Sequence, residues 1–283
     1  MAELLKGLPA ANALTEDLIL RTAALKDKKI IPTLAIVRVG ARPDDISYET
    51  GARKRCAKVG IGVRQFLLGE DCTRDELLDV IREINADASI HGCLLFRPLP
   101  DRDMEEAACA LLAPEKDVDG MTAGSLARVF TGKGAGYPPC TAEACMELLD
   151  HYGTDPEGKH VAVIGRSLVI GKPVSMMLQS RNATVTMCHT KTKNLADLCK
   201  SAEILVVAAG KAGVVGREFA APGQVVIDVG IHVNDEGKLR GDVDFEAVEP
   251  IVDAITPVPG GVGSVTTAVL AKHVVEAAEK TIG

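Results

Sequence analysis

A strand-like run in the second half of the chain ends in a turn of the kind that binds phosphate. The apolar run Val161–Ile164 leads directly into Gly165-Arg166-Ser167, and Gly171 and Pro173 follow where the chain is expected to enter a helix. Proline suits a first helical turn because its missing N–H would have no intrahelical acceptor there. Backbone N–H groups at a helix start bind phosphate. Ser167 stands where the G-x-G-x-x-G pattern has its middle glycine, so an ordinary strand–turn–helix remains open.

The residues after the next strand-like run favour NADP over NAD. A site that prefers NAD usually carries an acidic residue here, which binds the ribose hydroxyls. This chain has His189, Thr190 and Lys191 instead, and Arg166 is the nearby cation of the phosphate turn. Donors and positive charge suit a 2′-phosphate, although NAD stays possible. The alternative is a polar loop with two exposed cations.

Two further loops have compositions that could contact a small ligand. In Thr256–Gly263, prolines restrict the backbone and Gly260 and Gly261 remove side chains, so a flat ligand could lie on the main chain beside Pro259. Most loops of this kind are only turns. The loop Asp117–Gly120 precedes a predicted helix, where Asp119 suits a helix N-terminus as well as a catalytic role.

Strand-like and helix-like segments alternate along the chain, which predicts an α/β fold with parallel sheets. Predicted strands cover 32–39, 63–68, 91–96, 160–164, 184–188, 204–208 and 225–229. Predicted helices cover 45–59, 74–85, 103–112, 141–151 and 265–278. The Gly- and Pro-rich segment 132–139 predicts a domain boundary, and the last helix could pack back on the first domain.

Composition excludes several classes of function. The 283 residues carry a net charge of −7, which gives no electrostatic case for nucleic acid or an anionic membrane. No run approaches a membrane span, and the N-terminus lacks a signal-peptide pattern. Eight cysteines without C-x-x-C or Cys/His metal spacing predict reduced thiols in the cytoplasm and no metal site. No serine-nucleophile elbow or Walker P-loop is present.

These motifs, in this order, resemble the methylenetetrahydrofolate dehydrogenase/cyclohydrolase family. The resemblance covers most of the chain and is carried by Tyr48, Asp117–Gly120, Pro139–Thr141, Gly165–Pro173, Cys188–Thr192, Asp228–Ile231, Gly241–Phe245 and Thr256–Gly263. It implies two α/β domains, the second a Rossmann-like parallel sheet, with a cleft between them. Residues 1–140 plus 265–283 would form the folate-binding catalytic domain, and 141–264 the dinucleotide-binding domain. A homodimer is also implied.

The resemblance assigns roles to the candidate residues. Tyr48 would stack on the pteridine of 5,10-methylenetetrahydrofolate, Asp119 would hydrogen-bond its ring, and the Pro259–Gly261 backbone would line the site. The cofactor-binding residues would be Gly165, Arg166, Ser167, Gly171, Pro173, His189, Thr190 and Ile231, with Ile231 near the nicotinamide. Oxidation of the substrate moves a hydride to the nicotinamide and leaves a methenyl cation, which depends more on orientation than on a protein acid or base.

The chain departs from the family at the second activity, hydrolysis of the methenyl ring. The family uses a lysine four residues after the tyrosine and a glutamine at a strand end; Ala52 and Phe96 stand at these positions. Lys54 is offset by two residues, about 200° around a helix. We therefore expect an NADP- or NAD-dependent dehydrogenase with weak or absent cyclohydrolase activity. The alternatives are a bifunctional enzyme that uses Lys54 as its catalytic lysine and a non-catalytic folate- or dinucleotide-binding protein.

Overall fold

A computed structural model describes residues 1–234 and 236–282. The strands are β1 (Glu3–Leu4), β2 (Thr33–Val39), β3 (Gly62–Leu68), β4 (Gly92–Leu95), β5 (His160–Ile164), β6 (Thr184–Cys188), β7 (Ile204–Val207), β8 (Val225–Asp228), β9 (His232–Val233), β10 (Leu239–Arg240) and β11 (Ala254–Ile255). The helices are α1 (Gly7–Asp27), α2 (Pro43–Val59), α3 (Arg74–Ala86), α4 (Arg102–Leu111), α5 (Ala123–Thr131), α6 (Cys140–His151), α7 (Gly171–Ser180), α8 (Leu195–Lys200), α9 (Phe245–Val248) and α10 (Thr266–Glu279).

One compact unit, the large-sheet unit, comprises Met1–Ala11 and Thr141–Thr266. Its parallel six-stranded sheet has the order β1-β11-β8-β7-β5-β6. All four residues of β7 are buried, as are the last four of β5. Continuous apolar strands of this kind are typical of parallel sheets covered on both faces. The sheet brings the carboxyl ends of β5, β7 and β8 to one edge.

The other unit, the small-sheet unit, comprises Asn12–Cys140 and Thr267–Gly283. Its three parallel strands have the order β3-β2-β4. Helix α3 begins with a capping box, in which Thr73 and Glu76 each accept the other's backbone N–H. The buried side chains of α3 pack in one core cluster with those of β2 and β4. This core holds the end of β4, which Phe96 and Arg97 directly follow.

The predicted fold class is confirmed, but the domain bounds and several elements differ. The predicted first domain included residues 1–11, whereas this segment belongs to the large-sheet unit because β1 pairs in parallel with β11. Helix α1 was not predicted. Its apolar residues are spread around the helix, with Leu18 and Leu25 buried but Leu8 and Leu20 exposed, so the periodicity is weak. Among the described residues, no helix has the length and apolar character needed to cross a membrane.

Candidate functional site

The phosphate-type turn is built by two glycines that allow close backbone packing. Gly165 follows β5 with φ 133°, and a Cβ there would lie 2.2 Å from the Ala208 carbonyl oxygen. A Cβ on Gly171 would lie 2.2 Å from the Gly165 carbonyl oxygen. The start of α7 therefore packs directly on the turn, as phosphate binding by a helix N-terminus requires. The Ser167 hydroxyl accepts the Ile170 N–H at 3.1 Å, which closes the turn.

A cavity of about 480 Å³ opens at this turn, at the carboxyl edge of the large sheet. Ligands bind at this edge in open α/β sheets. Six predicted cofactor residues line it: Gly165, Arg166, Ser167, His189, Thr190 and Ile231. Gly171 and Pro173 are instead buried in α7, behind the cavity, where they shape the helix start. The cavity has the size of a small-molecule site and, like such sites, a mainly apolar lining with a few polar groups.

His189, one of the predicted cofactor residues, stabilises the turn after β6 through two hydrogen bonds. His189 Nδ1 accepts the Lys191 N–H at 3.1 Å, and its own backbone N–H donates to the Thr192 hydroxyl at 2.9 Å. In the neutral ring this assigns the proton to Nε2. Thr190 and Lys191 are exposed, so both side chains are accessible to a ligand.

Two buried carboxylates at the same edge were missed by sequence reasoning, although both lie in motifs that carried the resemblance. Asp228 accepts the N–H groups of Gly230, Asp242 and Val243, each at 3.0 Å. Burial raises the pKa of Asp228 to about 6, although these hydrogen bonds favour its charged form. Asp242 accepts the Gly210 and Lys211 N–H groups at 2.9 Å and contacts His232 Nε2 at 2.6 Å. Asp228 and Asp242 are separated in the sequence and come together only in the folded chain, so no local pattern indicated the cluster.

The Pro/Gly-rich loop lines a second, smaller cavity of the large-sheet unit. This cavity of about 240 Å³ is bordered by Pro257–Ser264 and by Asp228–Ile231. The Gly260 carbonyl accepts the Gly7 N–H at 2.7 Å, which anchors the loop to the start of α1. Pro259 and Gly260 are exposed, and Gly261 is buried. The backbone of Pro259 and Gly260 is thus accessible at this cavity.

The two acids of the Asp117–Gly120 loop have different surroundings. Asp117 is fully buried and accepts the Met121 and Thr122 N–H groups at 3.1 and 2.7 Å, so it organises the start of α5. Burial, with a contribution from the Asp117 charge, raises the pKa of Asp119 to about 6, while Arg97 and a hydrogen bond with Cys140 oppose the shift. Asp119 can therefore change charge near neutral pH. Asp117 is structural.

Tyr48 meets one of the two unexpected residues directly. Its ring lies edge-on to that of Phe96, with the centroids 5.9 Å apart. Ala52 lies one helical turn after Tyr48 on α2 and is only 1% exposed. The next residue along the strand end, Arg97, pairs with Glu105 at 3.7 Å. The Tyr48 ring thus contacts the Phe96 ring, and the buried methyl group of Ala52 lies one turn further along the same helix.

Lys54 lies on a different part of α2. Its side chain is exposed and lines a surface depression with Thr50, Arg53, Ala57, Ile61 and Val63. The neighbouring cation, Arg53, lies 4.0 Å from the buried Glu49 carboxylate. The two-residue offset predicted from the helical period is therefore present in the structure. Over the described ranges, no cluster of His, Cys, Asp and Glu could hold a metal ion.

Comparison with known proteins gives two family-model matches that divide the chain. Residues 5–119 match the tetrahydrofolate dehydrogenase/cyclohydrolase catalytic domain, and 139–282 match the NAD(P)-binding domain of the same family.

Individual relatives match almost end to end. The chain is 53% identical to bifunctional protein FolD of Carboxydothermus hydrogenoformans over 281 residues, 99% of this chain and 98% of the relative. The crystal structure of the bifunctional FolD enzyme from Campylobacter jejuni has a TM-score of 0.95 at 37% identity, covering 99% of this chain and all of that one. The Trypanosoma brucei enzyme, solved with NADP cofactor and inhibitor, has a TM-score of 0.91 at 32% identity, covering 99% and 98%. The chain belongs to the tetrahydrofolate dehydrogenase/cyclohydrolase family.

Proposed function

We propose that this protein oxidises 5,10-methylenetetrahydrofolate to 5,10-methenyltetrahydrofolate with NADP as the acceptor, and that its cyclohydrolase activity is weak or absent. The observation that carries the first part is the 480 Å³ cavity at the carboxyl edge of the large sheet, lined by the Gly165–Ser167 turn and by His189 and Thr190. NADP supplies a nicotinamide ring that accepts a hydride. The Trypanosoma brucei relative, solved with NADP, supports this choice.

The residues of the cavity fit a phosphorylated dinucleotide. Backbone N–H groups at the start of α7 would bind its phosphates. Arg166 and Thr190 are exposed at the cavity, where they would bind a 2′-phosphate by charge and by a hydroxyl donor. Ile231 would lie near the nicotinamide. NAD would bind through the same backbone but without the contribution of Arg166.

The substrate would be held by residues that bind and orient it. Tyr48 would stack on the pteridine, and the Asp119 carboxylate would accept hydrogen bonds from its ring. The methylene C–H bond breaks with its electron pair, which leaves as hydride and creates the methenyl cation. Close orientation of donor and acceptor is the main requirement of this step.

The second part of the proposal follows from the residues around Tyr48. Hydrolysis of the methenyl ring adds water and needs a group that transfers a proton. The methyl group of Ala52 and the ring of Phe96 cannot do so. Lys54 is exposed in a separate surface depression.

The names of the relatives favour the bifunctional alternative. The Carboxydothermus hydrogenoformans relative, at 53% identity, and the Campylobacter jejuni enzyme are both called bifunctional. Under this alternative, Lys54 would have to act as the catalytic lysine. A homodimer in the cytoplasm belongs to the same proposal; the eight free cysteines support that address.

Two assays on one purified sample test both parts. The first follows reduction of NADP, and of NAD in parallel, with methylenetetrahydrofolate. The second follows decay of added methenyltetrahydrofolate against its rate in buffer. We expect NADP reduction without enzyme-dependent decay. Fast decay that Lys54→Ala abolishes would establish the bifunctional alternative, and binding of both ligands without any reduction would mean a non-catalytic protein.

A further inference from the structure

One short segment forms a wall shared by two cavities of the large-sheet unit. Val229-Gly230-Ile231, here called the partition segment, lines both the 480 Å³ cavity at the phosphate-type turn and the 240 Å³ cavity at the Pro/Gly-rich loop. The Ile231 side chain is 58% exposed, so packing around this side chain contributes little to its position. The buried residues Val229 and Gly230 and the hydrogen bonds on either side of the segment therefore fix its position.

The first anchor is Asp228, the last residue of β8. Its carboxylate accepts the Gly230 N–H within the partition segment and the N–H groups of Asp242 and Val243. The surroundings are tightly packed, since a Cβ on Gly241 would lie 1.8 Å from Asp228 Oδ2. Asp228 thus joins the partition segment to the chain around Asp242.

The second anchor is Asp242, whose side chain is fully buried. Its two oxygens accept the Gly210 and Lys211 N–H groups, from the loop after β7. One of them also lies 2.6 Å from Nε2 of His232, the residue that directly follows Ile231. Asp242 therefore connects the loops after β7 and β8. Hydrogen bonds to a buried charge are short and strong, and a lost partner is costly.

We propose that Asp242 and His232 are positioning residues for hydride transfer: they hold the partition segment, and with it Ile231, at the distance from the nicotinamide that the reaction requires. The inference rests on the proposed function, since Ile231 is assigned to the nicotinamide there. Gly210, His232 and Asp242 themselves line the larger cavity, so a change in this cluster would also alter the cavity in which the cofactor is proposed to bind.

The test compares two replacements of one side chain. His232→Ala removes the N–H donor to Asp242, whereas His232→Asn keeps a side-chain N–H at this position. His151→Ala, at the exposed end of α6, is the matched control. For His232→Ala we expect the KM for NADP to rise about tenfold. The kinetic isotope effect with substrate deuterated at the methylene carbon should also increase, because hydride transfer becomes slower. His232→Asn should recover most of both changes.

The outcomes separate positioning from a general loss of stability. If His232 had a purely structural role, His232→Ala would lower kcat in proportion to the folded fraction, and its KM and isotope effect would equal those of His151→Ala. That result would overturn the inference. So would an Asn variant no better than the Ala variant. If Asp242→Asn folds, we expect its KM for NADP and its isotope effect to increase, as in His232→Ala. If it does not fold, the comparison of His232→Ala with His232→Asn decides the test.

A failure of the proposed function would be recognised separately. If the wild type reduced no cofactor with methylenetetrahydrofolate, the proposed function would be wrong, whatever the variants did. The inference would then be judged by calorimetric titration with NADP alone. An unchanged Kd for His232→Ala would overturn it, and a Kd weakened about tenfold and recovered in His232→Asn would support it.

Discussion

The cofactor edge of the large sheet and the Tyr48 region of the small-sheet unit differ in how fully they retain the pattern of their family. At the cofactor edge, the glycine turn, the polar turn after β6 and the Pro/Gly-rich loop all surround cavities. In the small-sheet unit, Tyr48 and Asp119 match the resemblance, but Ala52 and Phe96 stand where the resemblance implies a lysine and a glutamine. The ring of Phe96 contacts that of Tyr48. Under the proposed function, the cofactor edge keeps cofactor binding and hydride transfer, while the Tyr48 region lacks the groups for proton transfer.

The largest expected effect concerns Asp119, the acid that both activities of the family would share through substrate binding. Asp119→Asn removes the charge proposed to bind the pteridine, and we expect kcat/KM for methylenetetrahydrofolate to fall about 100-fold. NADP binding, measured by titration, should be unchanged. Asp75→Asn, in the first turn of α3, provides a charge-matched control. A variant with wild-type kcat/KM would show that Asp119 does not bind substrate.

The second prediction tests the glycine turn. In Gly171→Ala the new methyl group would meet the Gly165 carbonyl, so the start of α7 must move away from the turn. We expect NADP affinity to fall at least tenfold and the free energy of unfolding to decrease by about 1–3 kcal/mol. Gly153→Ala is the control, because a Cβ at this position meets no atom within 4 Å. It shows the effect of replacing a glycine without a steric contact, although the positive φ of Gly153 adds some strain. Equal NADP affinity in the two variants would contradict the account.

The third prediction concerns the choice between NADP and NAD. Arg166→Ala should raise the KM for NADP about tenfold, because one charged contact with the 2′-phosphate is lost. The KM for NAD should change by less than about twofold, since NAD lacks that phosphate. Parallel rises for both cofactors would mean that Arg166 acts on another part of the dinucleotide.

The fourth prediction uses the pKa of Asp119, which burial raises to about 6. The carboxylate form, which would bind the pteridine, is present above this pH and is lost as the pH falls through it. We therefore expect the KM for methylenetetrahydrofolate to rise about tenfold per pH unit below 6 and to be flat above about 7. Asp119→Asn should remove this dependence. A pH-dependent KM in that variant would assign the titration to another group.

The smallest expected effect is that of Lys54→Ala. Lys54 is exposed in a depression with Thr50 and Arg53, so its removal should change dehydrogenase kcat and KM by less than about twofold. The matched variant Lys58→Ala lies in the last turn of the same helix. A large loss of methenyltetrahydrofolate hydrolysis in Lys54→Ala alone would show that the lysine reaches the substrate.

The sequence predicted the parallel sheets because their strands are continuous apolar runs, and it predicted the turn at Gly165 because glycine and proline constrain the backbone locally. It did not predict α1, whose apolar residues surround the helix, or the pairing of β1 with β11, which joins residues far apart in the chain. The pairing of Asp242 with His232 and of Arg97 with Glu105 was missed for the same reason. Such contacts depend on packing in three dimensions, which no local pattern encodes.

The most direct test of the central claim restores the missing groups. Wild type and the double variant Ala52→Lys/Phe96→Gln are compared for decay of added methenyltetrahydrofolate, with NADP reduction measured on the same samples. We predict that both reduce NADP, that wild type leaves decay at the buffer rate, and that the double variant accelerates it. The contradicting result has three parts: the wild type accelerates decay, Lys54→Ala still does so, and the double variant does so at the same rate. Positions 52 and 96 would then not control the second activity.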